Sequence, residues 1–301
     1  MRARGVEAFL RATGAQRRWR SPEALQRAID RRPAESSPAP KRLRGVRTRA
    51  EHRQGWPVWV LEPQDRHSVG SLVWLHGGGY VFDLAAQHWT FLADLAVRSG
   101  RRVLVPRYPL APEGRAEQTV PTAADLVAEL LDAEPSAELP EHGPLALGGD
   151  SAGGGMALAV AQELRLRGHG GIPLVLSSPW VDATLSDPAV PAAAALDPWL
   201  APPGLRAAGS AYAGSLGPND RRASPIHGPL IGLGPVLILT GTRDVLNPDA
   251  RRLAAALQAA GGQVELLERT GLLHNFPLMP IPEAAPARDA ITAFLTREGA
   301  S

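Results

Sequence analysis

The sequence predicts an α/β protein on a mostly parallel, doubly wound sheet, and three observations predict it. Short β-rich runs alternate with helical patterns over more than 200 residues. Several of those runs are unbrokenly apolar, as in Val236-Leu237-Ile238-Leu239, which suits parallel strands buried on both faces. The chain has 301 residues, 44% of them hydrophobic, enough to build one large core.

Residues 1–32 read as one or two short helices. Ser21-Pro22-Glu23 has a capping Ser, Pro at the first helical position and then an acid, and Leu25, Ala28 and Ile29 follow at helical spacing. Residues 33–40 are rich in Pro and Ser and read as a linker. The chain thus divides into an N-terminal helical segment, 1–40, and a main domain, 41–301. Strands are expected at Pro57–Leu61, Ser71–Leu75, Arg102–Pro106, Leu145–Gly148, Leu174–Ser177, Val236–Thr240 and Val264–Leu267. Helices are expected at about His88–Ser99, Thr119–Ala133, Ala152–Arg167, Asp249–Ala260 and Ala285–Arg297. Residues 182–230, rich in Pro, Ala and Gly, break the alternation and read as an insertion of short helices over one edge of the sheet.

Composition excludes several classes of function. With no cysteine, the chain has no disulfide, no Cys-ligated zinc and no thiol nucleophile. No H-E-x-x-H or clustered ligand set appears, so neither a metal nor another cofactor is implied. Net charge is +2, but residues 1–53 hold fourteen Arg and one Lys against five acids, about +10, leaving about −8 elsewhere. A nucleic-acid or membrane-surface contact is one reading of that segment. A solvated helical face is the plainer one and is preferred, since no nucleic-acid motif accompanies the charge. No apolar run is long enough to span a membrane, and Glu7, Glu23 and Asp30 interrupt any signal-like N-terminus, so a cytoplasmic location is expected.

The chemistry begins at Gly149-Asp150-Ser151-Ala152-Gly153, a G-x-S-x-G set between an expected strand and an expected helix. A serine there sits on a tight, strained turn that lifts its Oγ clear of the sheet, at a helix N-terminus that favours a developing anion. An ordinary Gly-rich turn is the plain alternative. A phosphate loop is not, since no Gly-Lys-Ser/Thr follows. Directly after the strand Ser71–Leu75 comes His76-Gly77-Gly78-Gly79-Tyr80. Glycines there let the backbone aim N–H groups at a substrate oxygen that gains negative charge in acyl transfer. His76 is expected to stabilise this loop rather than titrate.

These two motifs together resemble the hormone-sensitive-lipase family of bacterial esterases. Tyr108-Pro109-Leu110-Ala111-Pro112-Glu113, Ser178-Pro179-Trp180-Val181-Asp182 and Asp197-Pro198-Trp199-Leu200 resemble further segments of that family, so the likeness runs over about residues 55–280. Pro109 stands where the family more often has Arg.

The resemblance implies an α/β-hydrolase fold with a small helical cap, formed here by the N-terminal helices and residues 182–230. It also implies an acid and then a histidine after the serine. Asp244 and His274 fit that order, each following an expected strand. Asp249 is a rival acid that reads better as a first-turn helix residue, and His227 is a histidine on the wrong side of Asp244. By the same resemblance the N–H groups of Gly78, Gly79 and Ala152 form the oxyanion hole. Tyr80, Trp180, Trp199 and Tyr212 are candidate pocket-lining residues, with plain core packing the alternative for each. The expected activity is hydrolysis of small-molecule carboxylic esters of short to medium acyl chain through an acyl-enzyme. Amide hydrolysis, as by an N-deacetylase or formamidase, uses the same triad and stays open. A non-catalytic binder on this fold would lack a triad member, and none is lacking here. The sequence leaves monomer and homodimer equally open.

Overall fold

The computed structural model describes residues 2–33, 39–40, 42–132 and 144–298. Among the described residues eight strands form one sheet: β1 (Val46–Arg53), β2 (Trp56–Pro63), β3 (Ser71–Leu75), β4 (Arg102–Pro106), β5 (Leu145–Asp150), β6 (Leu174–Ser177), β7 (Val236–Arg243) and β8 (Val264–Leu273). Their order is β1-β2-β4-β3-β5-β6-β7-β8. The pairs β1–β2 and β2–β4 are antiparallel, and every pair from β4 to β8 is parallel. This is the mostly parallel, doubly wound sheet that the sequence predicts.

Helices cover both faces. On one side α3 (Ala86–Ser99) and α9 (Ala285–Arg297) bury Trp89, Phe91, Leu92, Ile291 and Phe294 against the sheet. On the other lie α4 (Ala116–Asp132), α5 (Ala152–Leu166) and α8 (Asn247–Ala259), which build the larger core around Val120, Met156, Leu158 and Leu253. Ala133, expected in the helix that forms α4, and residues 34–38 of the expected linker lie outside the described residues. Among the described residues no helix is long and apolar enough to cross a membrane.

The N-terminal segment forms α1 (Ala3–Thr13), a short 3-10 turn (Ala15–Trp19) and α2 (Pro22–Asp30). Ser21 caps α2 by accepting from Ala24 N–H at 3.2 Å, with Pro22 at the first position, as the sequence predicts. The 182–230 region carries α6 (Val190–Leu196) and α7 (Pro202–Ala213). The two regions meet: α2 packs on α7, and Gln16 donates to the carbonyls of Asp197 and Leu200 at 2.8 and 2.9 Å.

Two features depart from the expected elements. The first is β1, which the sequence reading omits. Its residues, Val-Arg-Thr-Arg-Ala-Glu-His-Arg, are mostly polar because it is an edge strand, and Arg49 pairs with Glu51 and Glu62 across its exposed surface. Gln54 and Gly55, both at positive φ (49° and 76°), make the two-residue hairpin turn to β2. The second is length: β7 and β8 run three and six residues beyond the expected ends. They stay paired past an irregularity at Gly241–Arg243, and their last partners are Arg243 and Leu273. The residues that follow, Asp244 and His274, therefore leave adjacent strands side by side.

Asp249 sits in the first turn of α8, as the sequence predicts, but its side chain is fully buried. Burial pushes its carboxyl up to about 7, Arg252 opposing and Asp182 adding to the rise. A carboxyl that holds its proton to about 7 when folded, and only to its ordinary 3.8 when unfolded, loses its stabilising contribution as pH rises between those values. Asp249→Asn is therefore expected to gain thermal stability relative to the wild type as pH rises from about 4 to about 7, the difference then levelling off. Melting curves of both proteins across that range test this; a difference independent of pH would refute it.

Candidate active site

Ser151 joins β5 to α5 with φ 55° and ψ −122°, a left-handed conformation that a non-glycine residue adopts only when its surroundings enforce it. The enforcement is steric. A Cβ on Gly149 would lie 2.3 Å from Gly153 O, and one on Gly153 would lie 2.0 Å from Leu75 O. The strand, the helix and the end of β3 thus cross at backbone contact, with no space for a side chain at either glycine. Ser151 N–H donates to Ser177 O and Ser151 O accepts from Trp180 N–H, both at 2.9 Å, which pins the turn to the end of β6.

His274 and Asp244 meet as the β7–β8 register requires: His274 Nδ1 lies 3.0 Å from Asp244 Oδ2, and both side chains are almost wholly buried. Burial opposes the charged imidazole, but Asp244, Asp197 and Asp150 together outweigh it, so the His274 pKa lies above its ordinary 6.5. The rivals lie elsewhere. Asp249 Oδ1 is 3.2 Å from Arg252, and His227 closes a short 3-10 turn, Pro225–His227, outside the cavity that holds Ser151 and His274.

The loop after β3 runs directly over the serine turn. A Cβ on Gly77 would lie 3.1 Å from Ser151 Cβ. Gly78 and Gly79 have φ of 132° and 62°, and their N–H groups donate to no protein acceptor among the described residues. Ala152 opens α5, where the first N–H groups have no partner within the helix. His76 is fully buried, stacked on Tyr108 at 4.3 Å, with Nδ1 2.7 Å from Gly77 O. Burial lowers its pKa to about 4, so it stays neutral and structural.

Three polar residues that the sequence reading did not single out support this arrangement. Asp150 is buried beside the serine and accepts from Trp74 Nε1 at 3.0 Å, Asn275 Nδ2 at 2.8 Å and His88 Nε2 at 3.2 Å. Burial works against its charge, but His88, Trp74 and His76 prevail and hold its pKa below the ordinary value. Asn275, at φ 53°, also donates its backbone N–H to Ser178 Oγ at 2.9 Å, so one residue ties the histidine loop to both β5 and β6. Asp197 accepts from the N–H groups of Trp199, Leu200 and Val245 at 2.7–2.9 Å, linking the insertion to the Asp244 loop. Burial and the neighbouring Asp244 raise its carboxyl to about 6. Asp197 belongs to the Asp-Pro-Trp-Leu segment that resembles the family. Its facing toward Asp244 is a tertiary fact that spacing does not carry.

Ser151, His274, Gly77, Gly78 and Gly79 line one cavity of about 900 Å³. Of the four aromatic residues expected to line it, only Trp199 does, 5.6 Å from the His274 ring. Tyr80, Trp180 and Tyr212 instead form a buried stack beneath it. Tyr80 lies 3.6 Å from Tyr212 and 5.4 Å from Trp180, and Trp180 and Tyr212 bond to Asp182 O and Thr119 Oγ1. Their rings glue α4 and α7 to the loop after β3, which is the core-packing alternative.

A strand–serine–helix turn, an Asp–His pair on the two neighbouring strands and a glycine loop over the serine define a class, the serine hydrolases of α/β architecture. The chain belongs to the α/β-hydrolase-fold family, whose sequence profile matches residues 72–278. Its likeness to the hormone-sensitive-lipase branch extends through the whole fold. It is 27% identical to an esterase of the bacterial hormone-sensitive-lipase family of known crystal structure, with a TM-score of 0.79 over 98% of this chain and 97% of that one. It is 32% identical to an acetyl-hydrolase of Streptomyces hygroscopicus over 76% of both chains. With the carboxylesterase NlhH of Mycobacterium tuberculosis it shares 31% over 80% of this chain and 76% of the relative.

If Asn275 fixes the histidine loop, Asn275→Ala should lower kcat by ~10- to 100-fold through misplacement of His274, with KM changed far less. Steady-state kinetics beside a circular dichroism spectrum check this. Full activity in a folded variant would show that the loop holds its geometry without Asn275.

Proposed function

We propose that this protein hydrolyses carboxylic esters through a covalent acyl-enzyme on Ser151. The observation that carries the reading is the His274–Asp244 pair, at 3.0 Å, on the same cavity as a serine held at φ 55°. His274 takes the Ser151 Oγ proton as Oγ attacks the ester carbonyl. Asp244 holds the imidazole with Nδ1 as donor and stabilises its cationic form. The carbonyl oxygen becomes an oxyanion facing the N–H groups of Gly78, Gly79 and Ala152, a set whose single members are worth about 3 kcal/mol in comparable sites. As the tetrahedral intermediate collapses, protonated His274 gives its proton to the leaving alcohol. Water, deprotonated by the same imidazole, then attacks the acyl carbon and releases the acid.

The names of the relatives, acetyl-hydrolase and carboxylesterase, support ester chemistry. Short to medium acyl chains are the substrates that this reading favours. The N-terminal helices and the 182–230 region act as a cap, since both contribute residues to the cavity: Phe9, Trp19 and Ala28 from the first, Trp199 and Leu205 from the second.

Hydrolysis of p-nitrophenyl esters from acetate to palmitate should peak at the short end. Ser151→Ala should lower kcat by about 10³-fold or more. Full turnover by the alanine variant would overturn the assignment. Because His274 must be neutral to accept the proton and its pKa is raised above 6.5, kcat/KM should fall as pH drops through an apparent pKa above that value. A pH–rate profile flat down to pH 6 would refute this.

A further inference from the structure

The charge on the cavity wall is unbalanced. Its two lining carboxylates are already engaged: Asp150 as described, Asp83 by Arg107 and by the Leu84 N–H at 2.8 Å. Of its three lining arginines, Arg32 is engaged by the carbonyls of Val81 and Ala111 and by Glu113. Arg18 and Arg31 pair with no carboxylate among the described residues. Arg18 instead lies over the Phe82 ring, 5.2 Å from its centroid. Between them in the chain is Trp19, which also lines the cavity. Its side chain is buried, and its indole N–H has no acceptor among the described residues. A Cβ on Gly79 would lie 2.6 Å from the Trp19 ring, so that ring stands directly beside the glycine loop after β3.

Two guanidinium groups offer only donors. A neutral ester with an alkyl tail satisfies none of them, whereas an anion takes charge-assisted bonds from the arginines in the fork geometry that suits carboxylate and phosphate. Arg18 and Arg31 are exposed, so they stand where the cavity meets solvent, and they can neutralise a charge without a full desolvation cost. The same cavity is lined by Phe9, Leu10, Trp19 and Phe82, an apolar surface that suits the hydrocarbon part of such a molecule.

We propose that the ester hydrolysed here carries an anionic group, a carboxylate or a phosphate, remote from the scissile carbonyl, and that Arg18 and Arg31 bind it. The inference rests on the esterase reading above and adds the substrate class to it.

The test uses matched ester pairs, with rates corrected for spontaneous hydrolysis. p-Nitrophenyl hydrogen adipate against p-nitrophenyl methyl adipate places the charge on the acyl side. 4-Acetoxybenzoate against 4-acetoxybenzamide, and 4-acetoxyphenyl phosphate against phenyl acetate, place a carboxylate or a phosphate on the alcohol side. At least one anionic member should exceed its neutral partner in kcat/KM by about tenfold. That ratio should collapse toward one in the Arg18→Gln/Arg31→Gln variant and shrink with added salt. The pair that responds identifies the side and the anion. Neutral esters preferred in all three pairs, or a preference that survives in the double variant, overturns the proposal. Serine-dependent turnover of p-nitrophenyl butyrate separates the two readings. If it is present without an anion preference, only the substrate class fails; if it is absent along with every other turnover, the esterase reading fails.

Discussion

The structure is organised around a crossing that tolerates no side chains. β5 ends, the chain reverses at Ser151 and α5 begins within backbone contact of the last residue of β3. A methyl group at Gly149 or Gly153 would push these segments apart by more than an ångström, and the loop after β3 would move with them. That loop carries the N–H groups of Gly78 and Gly79, which have no acceptor among the described residues, so the same close approach that strains the serine brings those donors over the serine turn. The cost of a left-handed Ser151 is met by the buried sheet around it, with Trp74, Leu75 and Leu147 each fully enclosed.

A second constraint supplies the other half of the site. Adjacent parallel strands that end in register deliver their next residues side by side, whatever their separation in sequence. Arg243 opposite Leu273 is enough to place Asp244 against His274. The chain can therefore carry a long insertion between β6 and β7 without disturbing the site, provided that the insertion is anchored. Asp197 does this, with one carboxylate oxygen accepting from the insertion and the other from the Val245 N–H. A buried acid beside Asp244 also adds negative potential around the imidazole, which favours its cationic form.

What the sequence discloses follows from which physical signals are local. Ser71–Leu75, Arg102–Pro106 and Leu174–Ser177 are expected and found with the same ends, because central parallel strands are marked by short apolar runs between breakers. β1 is not legible that way. An edge strand exposes one face and one row of hydrogen-bonding groups, and its Arg- and Glu-rich pattern reads as surface; the Gln54-Gly55 turn was its one local clue. The far ends of β7 and β8 are invisible for a related reason, since Arg243 and Arg269 carry no strand signal of their own and are held by pairing. Ser151, Asp244 and His274 are legible as candidates because the G-x-S-x-G turn marks the first and the family resemblance implies an acid and then a histidine after it; the structure brings the latter two together at 3.0 Å. Which way an aromatic ring faces is not local at all. Tyr80 and Trp199 look alike as candidates, yet one is stacked in the core and the other borders the cavity.

The basic N-terminal segment shows how a charge pattern can mislead when it is averaged. Summed over 53 residues it describes a solvated face, and several of its arginines do lie in solvent. Taken singly, its residues are divided between tasks. Glu7 clasps Arg243 at 2.5 and 2.6 Å, and Arg243 immediately precedes Asp244. The Trp19 ring rests against Gly79 on one side, while its backbone is so close to α7 that a Cβ on Gly204 would lie 2.5 Å from the Trp19 Cα. The segment therefore touches the glycine loop after β3, the 182–230 region and the strand end that precedes Asp244. A movement of these helices that admitted substrate would have to break contacts at all three places. The N-terminal helices thus contribute to the wall of the cavity and hold the loops around it through the same few side chains.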